Sequence, residues 1–327
     1  MTEPDNDQFA ASVAEAERCV LYEKDRRTKI ATLTLNRPDR KNAVTTAMRL
    51  RFAHLLHGAN IDDNVKVLVI KAVGPDLGTG ADLPDFMAQM MANDPTARLA
   101  EFELDEEDDV TFPPQGTYRN TGVYGPWFSN ARSGCRSLRE FQKISILQVQ
   151  GYCYGWHFYQ AADADLVIAS DDALFGHAAF RYAGWGPRMW AWALTMGTRK
   201  FKEMLFTGRP FTAQEMYECN FVNKVVPLDQ LEAEVAKYAD ACSRSRPTDS
   251  VQVQKTFFHI FEQFQGEYLG SMLSGLIESL GGLVKPDADD FELDEEMLER
   301  GLTNSVKDND NAFPPEFRLS RKGRAAE

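Results

Sequence analysis

Ser145-Ile-Leu-Gln-Val-Gln-Gly151-Tyr-Cys-Tyr-Gly155-Trp-His-Phe-Tyr-Gln-Ala-Ala-Asp-Ala-Asp165 changes periodicity twice within one short segment. Ile144 to Val149 is nearly all apolar and of strand length, as for a strand covered on both faces. The glycine-bounded stretch Gly151–Gly155 then reads as a turn, and the run to Asp165 as a helix. A strand, a glycine turn and a helix leave free backbone N–H groups at the helix start, which suits an anion or a developing oxyanion. Working outward, Lys66 to Lys71 (KVLVIK) and Leu166 to Ala169 are further buried-strand runs, and Ile30 to Leu35 (IATLTL) alternates in period two. Helical spacing covers Thr46 to His57, Lys200 to Leu205, Ala213 to Glu218, Leu228 to Ser243 and Ser250 to Leu280, the last with a break expected at Gly266 or Gly270. Strands alternating with helices predict an α/β fold with parallel pairing. A second glycine turn, Leu77-Gly-Thr-Gly-Ala-Asp-Leu83, follows KVLVIK. Two such turns can aim two N–H donors at one carbonyl oxygen, the minimal apparatus for stabilising an enolate or tetrahedral oxyanion.

Composition narrows the function classes. The 327 residues correspond to roughly two domains, or one large domain with an appendage, at about 150 residues per domain. Lys plus Arg number 36 against 49 Asp plus Glu, a net charge of −13. That balance argues against a non-specific nucleic-acid binder, which needs a basic face. No run of 18 apolar residues is present, and the opening MTEPDNDQFAASVAEAER is acidic without an apolar core, so neither a membrane span nor a secretory leader is expected. The five cysteines are scattered and never spaced C-x-x-C, so we expect a cytoplasmic protein with free thiols. His54 and His57 share a helical face without a third ligand, and no metal site is expected.

Two segments interrupt the α/β pattern. Glu101 to Asp109 holds seven acids in nine residues, followed by TFPPQGTYRNTGVYGPWF. A solvated loop is the plain reading of this insert, about 90–135. Tyr118, Tyr124, Trp127 and Phe128 carry enough aromatic surface for a lid. Asp287 to Glu299 holds eight acids, and reads as a linker turning helical near Glu295. The basic tail Arg318–Arg324 reads as frayed.

Six ordered segments together resemble the crotonase, or enoyl-CoA hydratase/isomerase, superfamily over roughly residues 28–317. Asn36-Arg-Pro-Asp-Arg-Lys-Asn-Ala43 is similar to its N-R-P-x-x-x-N-A turn, and Gly80-Ala-Asp-Leu83 to its A-G-A-D-L segment. Gly151 to Asp165 resembles G-x-x-x-G-G-G-x-E-L-A-x-x-x-D, and Ala173-Leu-Phe-Gly176 the strand after it. Thr207 to Glu215 resembles T-G-x-x-x-x-A-x-E, and Phe221 to Val226 resembles G-L-V-N-x-V-V. The resemblance implies a spiral of ββα repeats with a C-terminal helical trimerisation region. In segments this is a loose start (1–27), a spiral core (28–245), C-terminal helices (246–317) and the tail (318–327). It further implies an acyl-CoA thioester as substrate, coenzyme A entering only as part of that substrate, and a homotrimer or homohexamer. The backbone N–H groups of Ala81 and Trp156 would form the oxyanion hole, and Arg37, Arg40 and Lys41 would meet the CoA phosphates.

The departures are as informative. The first of the two glutamates used by the family's hydratases falls on Tyr159, and the second on Ala179 or, with one insertion, Phe180. The family's CoA-associated lysine is Pro84. His177, Tyr159 and His157 are the remaining candidates for acid–base work, with Arg181 nearby. A histidine tuned near neutrality can move protons, whereas a tyrosine is a poor base at pH 7. Three activities stay open: hydratase or isomerase chemistry on acyl-CoA, C–C bond hydrolysis of a cyclic β-diketone without CoA, and non-catalytic binding of acyl-CoA or a protein partner.

Overall fold

In the computed structural model, which describes residues 13–86, 95–114, 116–244, 246–280 and 302–325, the apolar runs of the sequence lie side by side. The strands in chain order are β1 (Val20–Asp25), β2 (Ile30–Leu35), β3 (Val67–Ala72), β4 (Ile144–Val149), β5 (Tyr152–Tyr154), β6 (Leu166–Ser170), β7 (Leu174–Gly176), β8 (Phe211–Thr212) and β9 (Lys224–Val226). The main sheet has the order β1-β2-β3-β4-β6-β9. All its pairs are parallel except β1 with β2, and Val67 stands opposite both Ile30 and Ile144. The KVLVIK run is nearly continuous because both faces are covered. Leu68 and Ile70 enter the large core with Leu33, Leu147 and Val149. Val67 and Val69 pack with Ile146 and Ile168 against a helix carrying Leu231, Val235 and Ala239. Each such side chain contributes about 1.5–3 kcal/mol by leaving water.

The helices used below, in chain order, are α1 (Thr46–Ile61), α2 (Tyr118–Phe128), α3 (Trp156–Asp163), α4 (Ala179–Tyr182), α5 (Met189–Met196), α6 (Thr198–Thr207), α7 (Ala213–Glu218), α8 (Leu231–Arg244), α9 (Thr248–Phe264) and α10 (Glu267–Ser279). Together with the parallel sheet they give the expected α/β architecture. No helix among the described residues is long and apolar enough to cross a membrane.

The structure corrects four local expectations. The N-terminal segment is not loose throughout: Val20–Asp25 forms the edge strand β1, antiparallel to β2, whose outer backbone groups it pairs, and Val20 is fully buried there. Gly151–Gly155 is not one turn but two, at Gly151 (φ 57°) and Gly155 (φ 55°), flanking β5. That strand pairs with β7 in a second sheet, β5-β7-β8, so the backbone groups between the glycines are satisfied in a ladder. The aromatic insert folds into α2, started by Thr117, whose side chain accepts from the Asn120 N–H at 3.3 Å. The basic tail is anchored: Tyr154 Oη donates to the Leu319 carbonyl at 2.7 Å, and Tyr152 Oη accepts from the Arg321 N–H at 2.8 Å. The acidic stretch 287–299 lies outside the described residues.

The long C-terminal helical pattern breaks at Gly266, which sits at φ 80° between α9 and α10. Gly270 stays helical, and the space its missing Cβ leaves is filled by Trp190: a Cβ there would lie 1.9 Å from the indole. Gly275 serves the same purpose against α2, where an added Cβ would lie 2.4 Å from the Gly125 carbonyl oxygen. Ser129 Oγ donates across this crossing to the Ser271 carbonyl at 2.8 Å. At the start of α10, buried Glu267 takes a bidentate pair from Arg136 at 2.7–3.0 Å. Glu267, Ser271, Ser274, Gly275 and Glu278 recur at helical spacing, so one face of α10 is drawn against the body of the protein.

Candidate active site

The two glycine turns meet. Gly80 sits at φ 103° and Gly155 at φ 55°. A Cβ on Gly155 would lie 3.0 Å from the Gly80 Cα, and one on Gly80 3.3 Å from the Gly155 Cα. Only glycine tolerates both the backbone angles and this approach. The first turn is clamped from several sides. Val44 N–H donates to the Gly80 carbonyl at 2.9 Å, and Asp82 N–H to the Val44 carbonyl at 2.8 Å. Thr79 N–H reaches the Lys41 carbonyl at 3.2 Å. Asn42 Nδ2 bridges to the carbonyls of Val73 and Asp76 at 3.0 and 2.8 Å. The residue after each glycine is left with a free donor. Among the described residues, neither the Ala81 N–H nor the Trp156 N–H has a hydrogen-bond acceptor. Trp156 opens α3, so its N–H belongs to the unpaired first turn of a helix.

Both residues line a cavity of about 480 Å³. Its floor is the two turns. Its walls are Thr46 and Arg49 of α1, Asp85, α2 and Cys135, and it is closed by Glu278, Ser279 and Leu280 at the end of α10. The aromatic insert thus supplies a wall: Tyr118, Tyr124 and Phe128 line the cavity, while Trp127 turns inward and donates from Nε1 to Glu101 at 2.9 Å. Glu101, in the acidic run read as solvated, is buried and paired with Arg49. A buried cation on α1 holds it there.

The proposed acid–base residues part company. Tyr159 and His177 both line the cavity, with Oη and Nε2 3.2 Å apart. Burial lowers His177 to about 4 and raises the Tyr159 phenol well above its ordinary value. At neutral pH this is an uncharged pair. His157 is fully buried and does not line the cavity. Its Nδ1 accepts from the Gly80 N–H at 3.2 Å, and burial lowers it to about 3, so it holds the first turn as a neutral acceptor. A Cβ on Gly78 would strike its ring at 2.1 Å.

The three cations expected at the CoA phosphates also divide. Arg37 is occupied, pairing with Asp82 at 2.5 Å and donating to the Ala43 carbonyl at 3.1 Å. Arg40 is exposed and makes no ion pair among the described residues. Lys41 is exposed, with its ammonium 5.2 Å from the centre of the Tyr152 ring. Arg181 does not line the cavity: it pairs with Asp310 at 2.7 Å and stacks on Phe313 at 3.8 Å, locking the C-terminal segment. Phe180, one of the two positions matching the family's second glutamate, is buried against His177 with ring centroids 5.1 Å apart.

One cavity group was not found from the sequence. Glu278 lines the cavity, its Oε2 is buried without a partner, and burial pushes its carboxyl up to about 7. Its signal was a lone acid recurring with Glu267 on an otherwise apolar helix.

The Enoyl-CoA hydratase/isomerase family model matches residues 117–271. The mevalonyl-coenzyme A hydratase of Aspergillus fumigatus is 29% identical over 235 residues, 70% of this chain and 74% of that protein. The hydroxycinnamoyl-CoA hydratase-lyase of Pseudomonas fluorescens is 28% identical over 205 residues, 62% of this chain and 65% of that one. In three dimensions, an enoyl-CoA hydratase/isomerase from Xanthobacter autotrophicus Py2 superposes with TM-score 0.69 over 90% of this chain and 98% of its own, at 24% identity.

Proposed function

The chain belongs to the crotonase superfamily, and on that premise we propose that it acts on an acyl-CoA thioester, as a hydratase- or isomerase-type enzyme working through an enolate. The observation that carries this reading is the pair of touching glycine turns, which leaves the Ala81 and Trp156 N–H groups free in one cavity. A thioester oxygen between them gains negative charge as the α-carbon loses a proton or the β-carbon gains a nucleophile. Fixed donors stabilise that charge more than the ground-state carbonyl. The Trp156 side chain is turned away, its Nε1 donating to the Gly134 carbonyl at 2.8 Å, so the bulky residue leaves its backbone donor usable. The Tyr159–His177 pair, neutral and hydrogen-bonded, positions the acyl group or a water. Arg40 and Lys41 meet the phosphates as exposed cations.

Calorimetric titration is expected to give binding of butanoyl-CoA and of free CoA. Absence of CoA affinity at millimolar concentration would overturn the acyl-CoA reading. Binding of a cyclic β-diketone in its place would move the protein to C–C hydrolysis.

Assembly as a trimer or hexamer belongs to the same proposal. On α9, Phe257, Phe258, Ile260, Phe261 and Phe264 are 59, 54, 54, 45 and 86% exposed. A row of aromatics this open calls for a covering surface, and a second copy of the same helical region provides one. Light scattering after size exclusion should return three or six times 36.9 kDa. A monomer at micromolar concentration overturns the assembly.

A further inference from the structure

We propose that Glu278, from the last turn of α10, is the catalytic residue that moves the proton at the carbon next to the thioester carbonyl. This rests on the acyl-CoA reading above and adds to it the group that both family glutamate positions lack here.

The case is geometric. Tyr159 and either Ala179 or Phe180 stand where the family's glutamates would, so α3 and α4 bring no carboxylate to the cavity. The carboxylate arrives instead from the opposite wall. Three features bring α10 in. Glycines at its crossing with α2 let the backbones touch, the Gly270 notch receives Trp190, and the Arg136–Glu267 pair pins its first turn. Glu278 lies three helical turns beyond Glu267 on the same face, and there it joins Ala81, Trp156, Tyr159 and His177 around one cavity. Its carboxylate makes no hydrogen bond or ion pair among the described residues, and its Oε2 is shielded. A buried carboxyl without a structural partner costs free energy, and one lining a cavity is placed for use. Cys135 and the Tyr159 phenol face it, and both stay protonated. Arg49 is neutralised by Glu101, His177 is uncharged, and Asp85 accepts from the Thr46 N–H at 3.0 Å. Arg98, Tyr118 and Tyr124 complete the titratable wall, the guanidinium 5.3 Å from the Tyr124 ring centre. Burial dominates, and Glu278 titrates near neutrality, where a group that both takes and returns a proton works best.

The step balances without a further reactant. The Glu278 carboxylate takes a proton from C2 of the bound acyl-CoA. The C–H pair becomes the C1=C2 bond, and the carbonyl π pair moves to the oxygen held by the Ala81 and Trp156 N–H groups. Reversal returns a proton from Glu278 to carbon.

The test follows C2 protons of butanoyl-CoA exchanging into D₂O by NMR, with the probe's affinity measured in parallel by calorimetry. The protein is expected to exchange them, with a rate rising through an apparent pKa near 7. Glu278→Gln should slow exchange by about 10²–10⁴-fold with the affinity kept within about threefold, and Glu278→Asp should recover part of the rate. A folding readout stands beside the rate. A carboxyl raised in the fold contributes full stability below its unfolded pKa and loses it as pH rises through about 7, so Glu278→Gln should melt higher than wild type at pH 8. Failure of wild type to bind butanoyl-CoA overturns the underlying reading and this proposal with it. Binding without exchange, or exchange undiminished in Glu278→Gln, overturns the role of Glu278 alone.

Discussion

Glu267→Ala is expected to destabilise the protein by about 3–5 kcal/mol, the cost of leaving a buried partner charge uncompensated. Glu267 is 1% exposed and Arg136 is 6% exposed. The guanidinium meets the carboxylate in a fork at 2.7–2.8 Å, and Ser271 Oγ donates to the same carboxylate at 2.9 Å. Truncation leaves the buried Arg136 guanidinium with the half-exposed Glu140 as its ion-pair partner and a 3.4 Å contact to the Ser129 carbonyl. A chemical denaturation series measures this, with Lys237→Ala as the comparison. Lys237 is 73% exposed in its pair with Glu234, and its loss should cost less than about 1 kcal/mol. An equal shift for both variants would defeat the argument. The pair also carries a pH signature. Burial alone would raise the Glu267 carboxyl, but the guanidinium, with Gln263 and Ser271, overrides it and holds the group down to about 2. A depressed acid contributes its stability in full above the unfolded value of about 4.3. That contribution is lost as pH falls from there through about 2, so the gap between wild type and Glu267→Ala should close over that window. Since Glu267 pins the helix that carries Glu278, the variant should also lose activity at temperatures where it is still folded.

If the proposed enolate chemistry operates, Ala81→Pro is expected to reduce C2 exchange of butanoyl-CoA by about 10²–10³-fold, or about 2.7–4 kcal/mol, by deleting one of the two donors proposed for the thioester oxygen. The substitution suits this site. The bonds that hold the turn run through the Gly80 carbonyl, the Val44 N–H and carbonyl, and the Asp82 N–H, none of which proline removes. The Ala81 N–H itself has no acceptor among the described residues, so no structural hydrogen bond is given up. Deuterium exchange of butanoyl-CoA reads the rate, and circular dichroism with thermal melting checks the fold. A folded Ala81→Pro protein exchanging at the wild-type rate would exclude the Ala81 N–H as a donor.

The parts of this protein legible in sequence are those whose cause is local. Lys66 to Lys71 reads as a strand covered on both faces because its run is apolar without alternation, and the strand found, Val67–Ala72, is so buried. Gly80 and Gly155 read as points of close backbone approach because a missing Cβ is itself the information, and the two meet each other. Tyr159 and His177 were found because they lie within a few residues of recognisable turns. What the tertiary structure decided is everything set by a distant partner. His157 is drawn off the cavity because the Gly80 N–H, far away in sequence, donates to its Nδ1 and the ring is buried behind the turn. Arg37 leaves the phosphate candidates because Asp82 claims it. The tail is ordered by two tyrosine hydroxyls on β5. Glu278 sits in a helical pattern that composition reads as an assembly surface. Only the close crossing of α10 with α2 turns that acid inward, because the side chain's environment, and with it the affinity for a proton, is made by residues remote in sequence.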